Sequence, residues 1–186
     1  MSRRERLRAA TNAVHEALHN APPFLRIAQG HITRAEYAAL LRFLFRYHAT
    51  MEAACAAGAV RLQLPALAAA QRRRIAALGA DLEAFGSVPV MPATSPQGEG
   101  DFAAGILYTV LGSTLGGKVI HRQLDALLPN DTGRTFFKGA DGNGADWRLL
   151  CEGLERVELD EGRLEDGATF AFTRFAQMLE EEAALT

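Results

Sequence analysis

An all-α, single-domain helical bundle is the fold class this sequence predicts. Three observations carry it. Apolar residues recur at three- and four-residue steps through most of the chain. Capping and stopping residues bracket those stretches where helices would begin and end. No run alternates as a half-buried strand would.

The elements follow in order. Residues 3 to 19 read as a helix with Leu7, Val14 and Leu18 on one side. Residues 33 to 57 give the clearest stripe: Tyr37, Leu40, Leu41, Leu44, Tyr47, His48, Met51 and Cys55. Thr33-Arg34-Ala35-Glu36 opens it as a capping box, in which each end residue satisfies a free backbone N–H. Gly58 is the expected stop. A third helix begins at Pro65, a residue suited to a first turn. Its stripe is Leu67, Gln71, Ile75, Leu78, Leu82 and Phe85, and Gly86 ends it. "SVPVMPATSPQGEG" then reads as a loop.

Residues 101 to 128 form a long apolar segment closed by Pro129, with Phe102, Ile106, Val110, Ile120, Leu124 and Leu127 at helical spacing. "PNDTGRTFFKGADGNGAD" reads as a second loop. Residues 147 to 159 follow as a helix with Trp147, Leu150, Leu154 and Val157 inward. Residues 164 to 184 close the chain, with Phe172, Phe175 and Met178 or Leu179 inward. The total is about six helices in one domain spanning 1–186, long enough for one sizeable core.

Bulk composition narrows the function classes. The formal net charge is -2, which gives no electrostatic case for nucleic acid or an acidic membrane surface. Arg72-Arg73-Arg74 is the longest basic run and is expected to be a solvated helix face. Cys55 and Cys151 stand far apart, so free thiols in a reducing cytosol are expected, and a cytoplasmic location with them. No apolar run follows the basic start as in a signal peptide, and no transmembrane stretch is expected.

Two motifs compete as chemistry. His15-Glu16-Ala17-Leu18-His19 fits H-E-x-x-H, which puts two imidazoles on one helical face with a carboxylate between. A zinc protease needs a third ligand, and Glu36, the nearest candidate, is better explained by its cap. It also needs a sheet upstream, for which fifteen residues leave no room. Gly112 to Lys118 fits most of a phosphate-binding loop. Val119 stands where a magnesium-binding hydroxyl belongs, and no strands flank it.

The glycines of "LGSTLGGKV" need another reason, since each Gly inside a helix costs about 1 kcal/mol relative to Ala. Two explanations fit. Gly112 and Gly116 share a face, so another helix backbone can approach closely. The same bare face can lie against a flat ligand.

The stretch "LRAATNAVHEALHNAPPFLRIAQGHITRAEYAALLRFLFRYHATME" resembles the N-terminal part of heme oxygenases. Leu7-Arg8, Ala10-Thr11, His15 and Ile32-Thr33-Arg34 carry the likeness. "LGSTLGGKVI" is similar to that family's distal-helix motif. The resemblance covers most of residues 6 to 180 and is nearer the bacterial, phytochrome-associated type.

It implies heme, as both substrate and cofactor, between the first helix and a kinked glycine-rich helix. The implied reaction oxidises a meso carbon of the heme to give biliverdin, carbon monoxide and ferrous iron. O2, an electron-donating reductase or ferredoxin, and a bacterial phytochrome accepting biliverdin are the implied partners. His15 matches the axial ligand to iron, where a neutral imidazole leaves the opposite position free. Arg8, two turns earlier, matches a propionate contact. Lys118 and Arg174 are further propionate candidates, and Phe24 packs near the proximal edge. Thr11, Tyr108 and Ile120 complete the implied heme-binding set. Gly112, Gly116 and Gly117 match the glycines that lie close over the ring.

Two departures from the mammalian-type pattern matter. Ser113 replaces an aspartate that organises distal water, leaving Ser113 and Thr114 to hold it. His19 stands where a glutamate hydrogen-bonds the axial histidine, and a neutral His19 could accept that bond. In this reading Glu16 has no role. Ser113 motivates a second reading, a non-catalytic heme- or biliverdin-binding protein of the same fold.

Overall fold

A computed structural model describes residues 1–92 and 98–183. Ten helices occur among the described residues: α1 (Arg3–His19), α2 (Pro22–Ala28), α3 (Arg34–Thr50), α4 (Glu52–Arg61), α5 (Pro65–Ala84), α6 (Gly100–Gly112), α7 (Thr114–Gln123), α8 (Thr135–Lys138), α9 (Asn143–Arg156) and α10 (Glu161–Ala183). No strand occurs among them. The middle of the expected first loop, 93–97, and the expected last helical residue, 184, lie outside the described residues.

Local signals set most helix ends. Ser2 and Thr33 each accept from the backbone N–H three residues on, and Glu5 and Glu36 answer with the reciprocal bond. Pro65 opens α5, and Gly86 closes it at φ +70°, a conformation open to glycine at little cost. Asp160 caps α10 by accepting from Arg163 N at 2.9 Å, and Asp101 holds Asp160 N at 2.7 Å.

Four expectations need correction. The helix expected over 33 to 57 turns at Met51. No Pro or Gly marks that turn; α4 is redirected to lie along α6. Gly58 is therefore no stop, because α4 runs on to Arg61. It is a contact point, where a Cβ would overlap the Ala103 carbonyl. The segment 101 to 128 is interrupted at Ser113, the kink that the resemblance implied for its glycine-rich part. The Ser113 hydroxyl donates to Val110 O at 2.8 Å, and a Gly-Ser pair of this kind bends a helix. The second expected loop contains α8 and the start of α9.

The fourth correction concerns length and charge. Gly100–Gln123 is long and apolar enough to cross a membrane, with mean hydropathy 1.3, although no such stretch was expected. It is broken at Ser113, and 56% of its most apolar 18-residue window is buried inside the protein, as befits a core element. Of the basic run, Arg72 and Arg73 are exposed but Arg74 is buried. Arg74 lies three residues after Gln71 and four before Leu78, so it belongs to the inward stripe.

The core sits where α6 is held between α4 and α10. The approach is close because glycines face backbone on both sides. A Cβ on Gly105 would overlap the Leu164 carbonyl, and one on Gly167 the Phe102 carbonyl. The stripe of α3 packs alongside: Tyr37, Leu40, Leu41, Leu44, Tyr47 and Met51 are all buried. Each such side chain contributes about 1.5–3 kcal/mol of burial.

Candidate functional site

The helices leave two of their number unpacked against each other. α1 leans on α10 and touches α9 and α2; α7 leans on α8 and touches α2 and α6. α2 thus bridges α1 and α7 at one end. At the other end the bridge is aromatic. The rings of Tyr108 and Trp147 lie 5.3 Å apart, and the Trp147 ring sits 3.3 Å from where a Gly112 Cβ would be. Burial raises the Tyr108 phenol above its ordinary pKa, and so does Cys151; the Arg4 and Arg8 guanidiniums pull it back. Tyr108 therefore feels the face of α1 that carries Arg4, Arg8 and His15. The candidate cleft is the space between α1 and α7, with those helices as its rims.

On the α1 rim, His15 is exposed, its side chain 52% accessible. Its ring meets Phe172 of α10 edge-on at 5.9 Å and His19 at 4.6 Å. His15 Nδ1 lies 3.7 Å from Glu16 Oε1, within ion-pair range but too long for a hydrogen bond. That leaves Nε2, on the far edge of the ring, for a ligand. His15 and His19 meet by this ring contact, and the carboxylate nearest His15 Nδ1 is Glu16. Arg8 is exposed. Thr11 is not a cleft residue: it is 4% exposed, and its hydroxyl donates to Leu7 O at 2.8 Å.

On the α7 rim the three glycines separate into different tasks. Gly117 is buried, and its Cβ would stand 2.9 Å from the Phe137 carbonyl, so it lets α8 pack against α7. Gly112 makes room for Trp147. Gly116 alone of the three is exposed with nothing within 4 Å of where a Cβ would be. Leu115 and Val119 flank it, 59% and 48% exposed. Exposed large apolar groups on either side of a bare backbone make an apolar landing surface for a flat group. Lys118 is exposed and Ile120 half-buried. Both explanations of the glycines therefore hold, at different residues.

The remaining expected residues sit on the proximal side or behind the rim. Phe24 stacks with Phe175 of α10, centroids 6.2 Å apart. Arg174 Nη1 is 3.1 Å from Glu181 Oε1 and would have to leave it to reach a ligand. Ser113 Oγ accepts from Arg74 Nη2 at 2.9 Å while donating to Val110 O, so its one proton is committed. Thr114 beside it is half-buried.

Behind Ser113 lies a buried polar cluster that the sequence reading missed. The Arg74 guanidinium covers the Phe136 ring at 4.7 Å, and burial brings its pKa down to about 10. Gln71 Nε2 reaches His48 Nδ1 and His48 O, each at 3.2 Å. Burial, aided by the Arg74 charge, holds the His48 imidazole well below its usual pKa, so it is neutral; the Gln71 hydrogen bond opposes this weakly. Arg74 Nε and Gln71 Oε1 have no hydrogen-bond partner among the described residues. The available signal was Arg74 in register with Gln71 and Leu78.

A concavity of about 600 Å³ elsewhere is lined by Arg61, Asp101, Val157, Glu158, Leu159 and Asp160. It lies by the start of α1, where Arg3 Nη1 donates to Val157 O at 2.8 Å. His15 is twelve residues along the same helix, about 18 Å away. That notch holds the Arg61–Asp101 ion pair at 2.6 Å and none of the cleft residues.

A helical bundle with an imidazole on one rim and bare, apolar-flanked backbone on the other is of the class that takes a flat, metal-centred ligand between its two rims. Comparison with known proteins agrees. The sequence model of the family described as heme oxygenase matches residues 2–181. A heme oxygenase of Xanthomonas campestris pv. campestris (strain 8004) is 35% identical over 162 residues, covering 84% of this chain and 96% of the relative. The crystal structure of NO- and CO-bound heme oxygenase from Neisseria meningitidis superposes with a TM-score of 0.81 at 25% identity. That match covers 100% of this chain and 94% of the other. The chain belongs to the heme oxygenase family, and with it to the all-α heme oxygenase fold, with heme as substrate and cofactor.

Proposed function

We propose that this family member degrades heme in the cleft between α1 and α7, with residues 1–186 acting as one heme oxygenase domain. The observation that carries the proposal is Gly116 on α7, open and flanked by exposed Leu115 and Val119, together with exposed His15 on α1. Bound heme supplies the iron at which O2 is activated and the meso carbon that is oxidised, with biliverdin, carbon monoxide and ferrous iron as products.

The chain's own residues bind, orient and supply protons. His15 Nε2 ligates the iron, with Phe172 bracing the ring and Glu16 near Nδ1 favouring the donor tautomer there. Arg8 and Lys118 are charged and exposed, and fit the heme carboxylates; Arg174 joins only by exchanging Glu181. Gly116 admits the ring, while Leu115, Val119 and Ile120 exclude water from its face. Ser113 Oγ keeps one lone pair for a water hydrogen bond, and Arg74 Nε is a spare buried donor behind it. Neither is a strong acid, so protons reach the distal side through weakly acidic water. Electrons come from a reductase or ferredoxin, and a bacterial phytochrome is one acceptor for the biliverdin. The site of action is the cytoplasm.

The test adds hemin to the purified protein, follows the Soret band, then supplies a reductant in air. Loss of the band with growth of biliverdin absorption is expected. A Soret band that persists under reductant and air would leave only the binding protein without turnover. No spectral change on adding hemin would sink both. His15→Ala should alter the iron spectrum; an unaltered one refutes His15 as ligand.

A further inference from the structure

We propose that His15, Glu16 and His19 form a second, distinct site for a divalent first-row transition cation, open whenever no heme lies on His15. One ligand atom from each residue lies within 4.8 Å of the others, and all three side chains face solvent. The helix places them so. His15 and His19 are four residues apart and Glu16 and His19 three, so all three project from one stripe of α1. The rings already meet edge to face at 4.6 Å. Metal–ligand bonds of about 2.0–2.2 Å bring ligand atoms to about 3–3.5 Å from one another. Closing the set requires up to about 2 Å of movement between exposed side chains.

Two imidazoles and one carboxylate on one side of an ion, with water on the other, suit ferrous iron, cobalt, nickel or zinc. No Arg or Lys pairs with Glu16 among the described residues, so no ion pair has to break. Exposure spares the ion most of its dehydration cost and keeps it exchangeable. The natural cation is the ferrous iron released by ring cleavage, an identity that rests on the heme reading above. Glu16 and His19 are the nearest further ligands to an iron released beside His15. Handing the ion from the opened ring to this set changes no oxidation state and needs no co-reactant.

The experiment titrates metal-free, hemin-free protein with Co²⁺, read by its visible absorption, and with Zn²⁺, read by calorimetry. One-to-one binding is expected. Loss of even an outer-shell partner costs a metal site about 10–100-fold, so His19→Ala should weaken binding at least about tenfold. Glu16→Gln should weaken it less, because the amide oxygen is still a neutral donor. Far-UV circular dichroism checks that each variant is folded. Excess Zn²⁺ should also raise the apparent hemin Kd of the wild type, since both ligands need His15. Absence of Co²⁺ and Zn²⁺ binding, or binding unchanged in folded His19→Ala, overturns the proposal. Failure of hemin to bind would overturn the heme reading instead, while the cation titration still decides this site.

Discussion

Replacing Gly116 by alanine separates a glycine kept for a ligand from one kept for packing. A methyl at this position meets nothing within 4 Å in the hemin-free protein. Gly116 also sits in the first turn of α7 without positive φ. Alanine should therefore stabilise the hemin-free protein by about 0.5–1 kcal/mol, through lower unfolded-state entropy and better helix propensity. For a chain of 186 residues that is a rise of about 1–4 °C in Tm. The same methyl stands about 1.5 Å above the backbone on which the ring would lie. A gap of half that size already forfeits about a quarter to a half of each dispersion contact. Hemin affinity should fall about tenfold or more, equal to about 1.4 kcal/mol.

Thermal melts without hemin and Soret titrations with it measure the two effects on one sample. Gly117→Ala is the control: its Cβ would stand 2.9 Å from the Phe137 carbonyl, so it should lose about 1–3 kcal/mol of stability. A Gly116→Ala protein that melts lower without hemin would refute the open-face argument. One that binds hemin and forms biliverdin as the wild type does would refute the placement of the ring on α7.

Other outcomes follow from the core. Gly167→Ala drives a methyl into the Phe102 carbonyl at the α6–α10 crossing and should cost about 3 kcal/mol or more, read as a lower midpoint in urea. The pH dependence turns on His48. Its native pKa is held well below 6.5 by burial, whereas the unfolded chain titrates near 6.5. Below pH 6.5 the unfolded state binds a proton that the native state refuses, so stability falls as pH falls. The slope should be about 1.4 kcal/mol per pH unit until the native pKa is reached. Urea unfolding at pH 6.5 and 5.5 measures it; a His48→Gln variant with an undiminished slope would refute the assignment to His48.

Helix existence was legible because the signals are local. Thr33 and Glu36 form the cap their spacing implies, and the stripe of residues 33 to 57 is buried as its period requires. His15, Arg8 and the glycine cluster were legible as a set through likeness to a family, since no single one of them is diagnostic. Helix breaks were less legible. Ser113 bends the chain by bonding its own backbone, in the helix that the resemblance implied to be kinked, whereas Met51 bends it with no local cause.

Composition and period determined by themselves that this chain is helical and carries no charge suited to nucleic acid, while likeness to the heme oxygenases singled out the imidazole and the glycines. The tertiary structure alone decided which glycine does what. Gly112, Gly116 and Gly117 are one chemical type, and only the neighbours Trp147, open solvent and the Phe137 carbonyl tell them apart. It alone turned Arg74 from a surface charge into the buried donor behind Ser113, because burial depends on what packs over a helix and not on the helix itself. It also set the ligand atoms of His15, Glu16 and His19 within 4.8 Å of one another, a distance that their spacing in sequence does not fix.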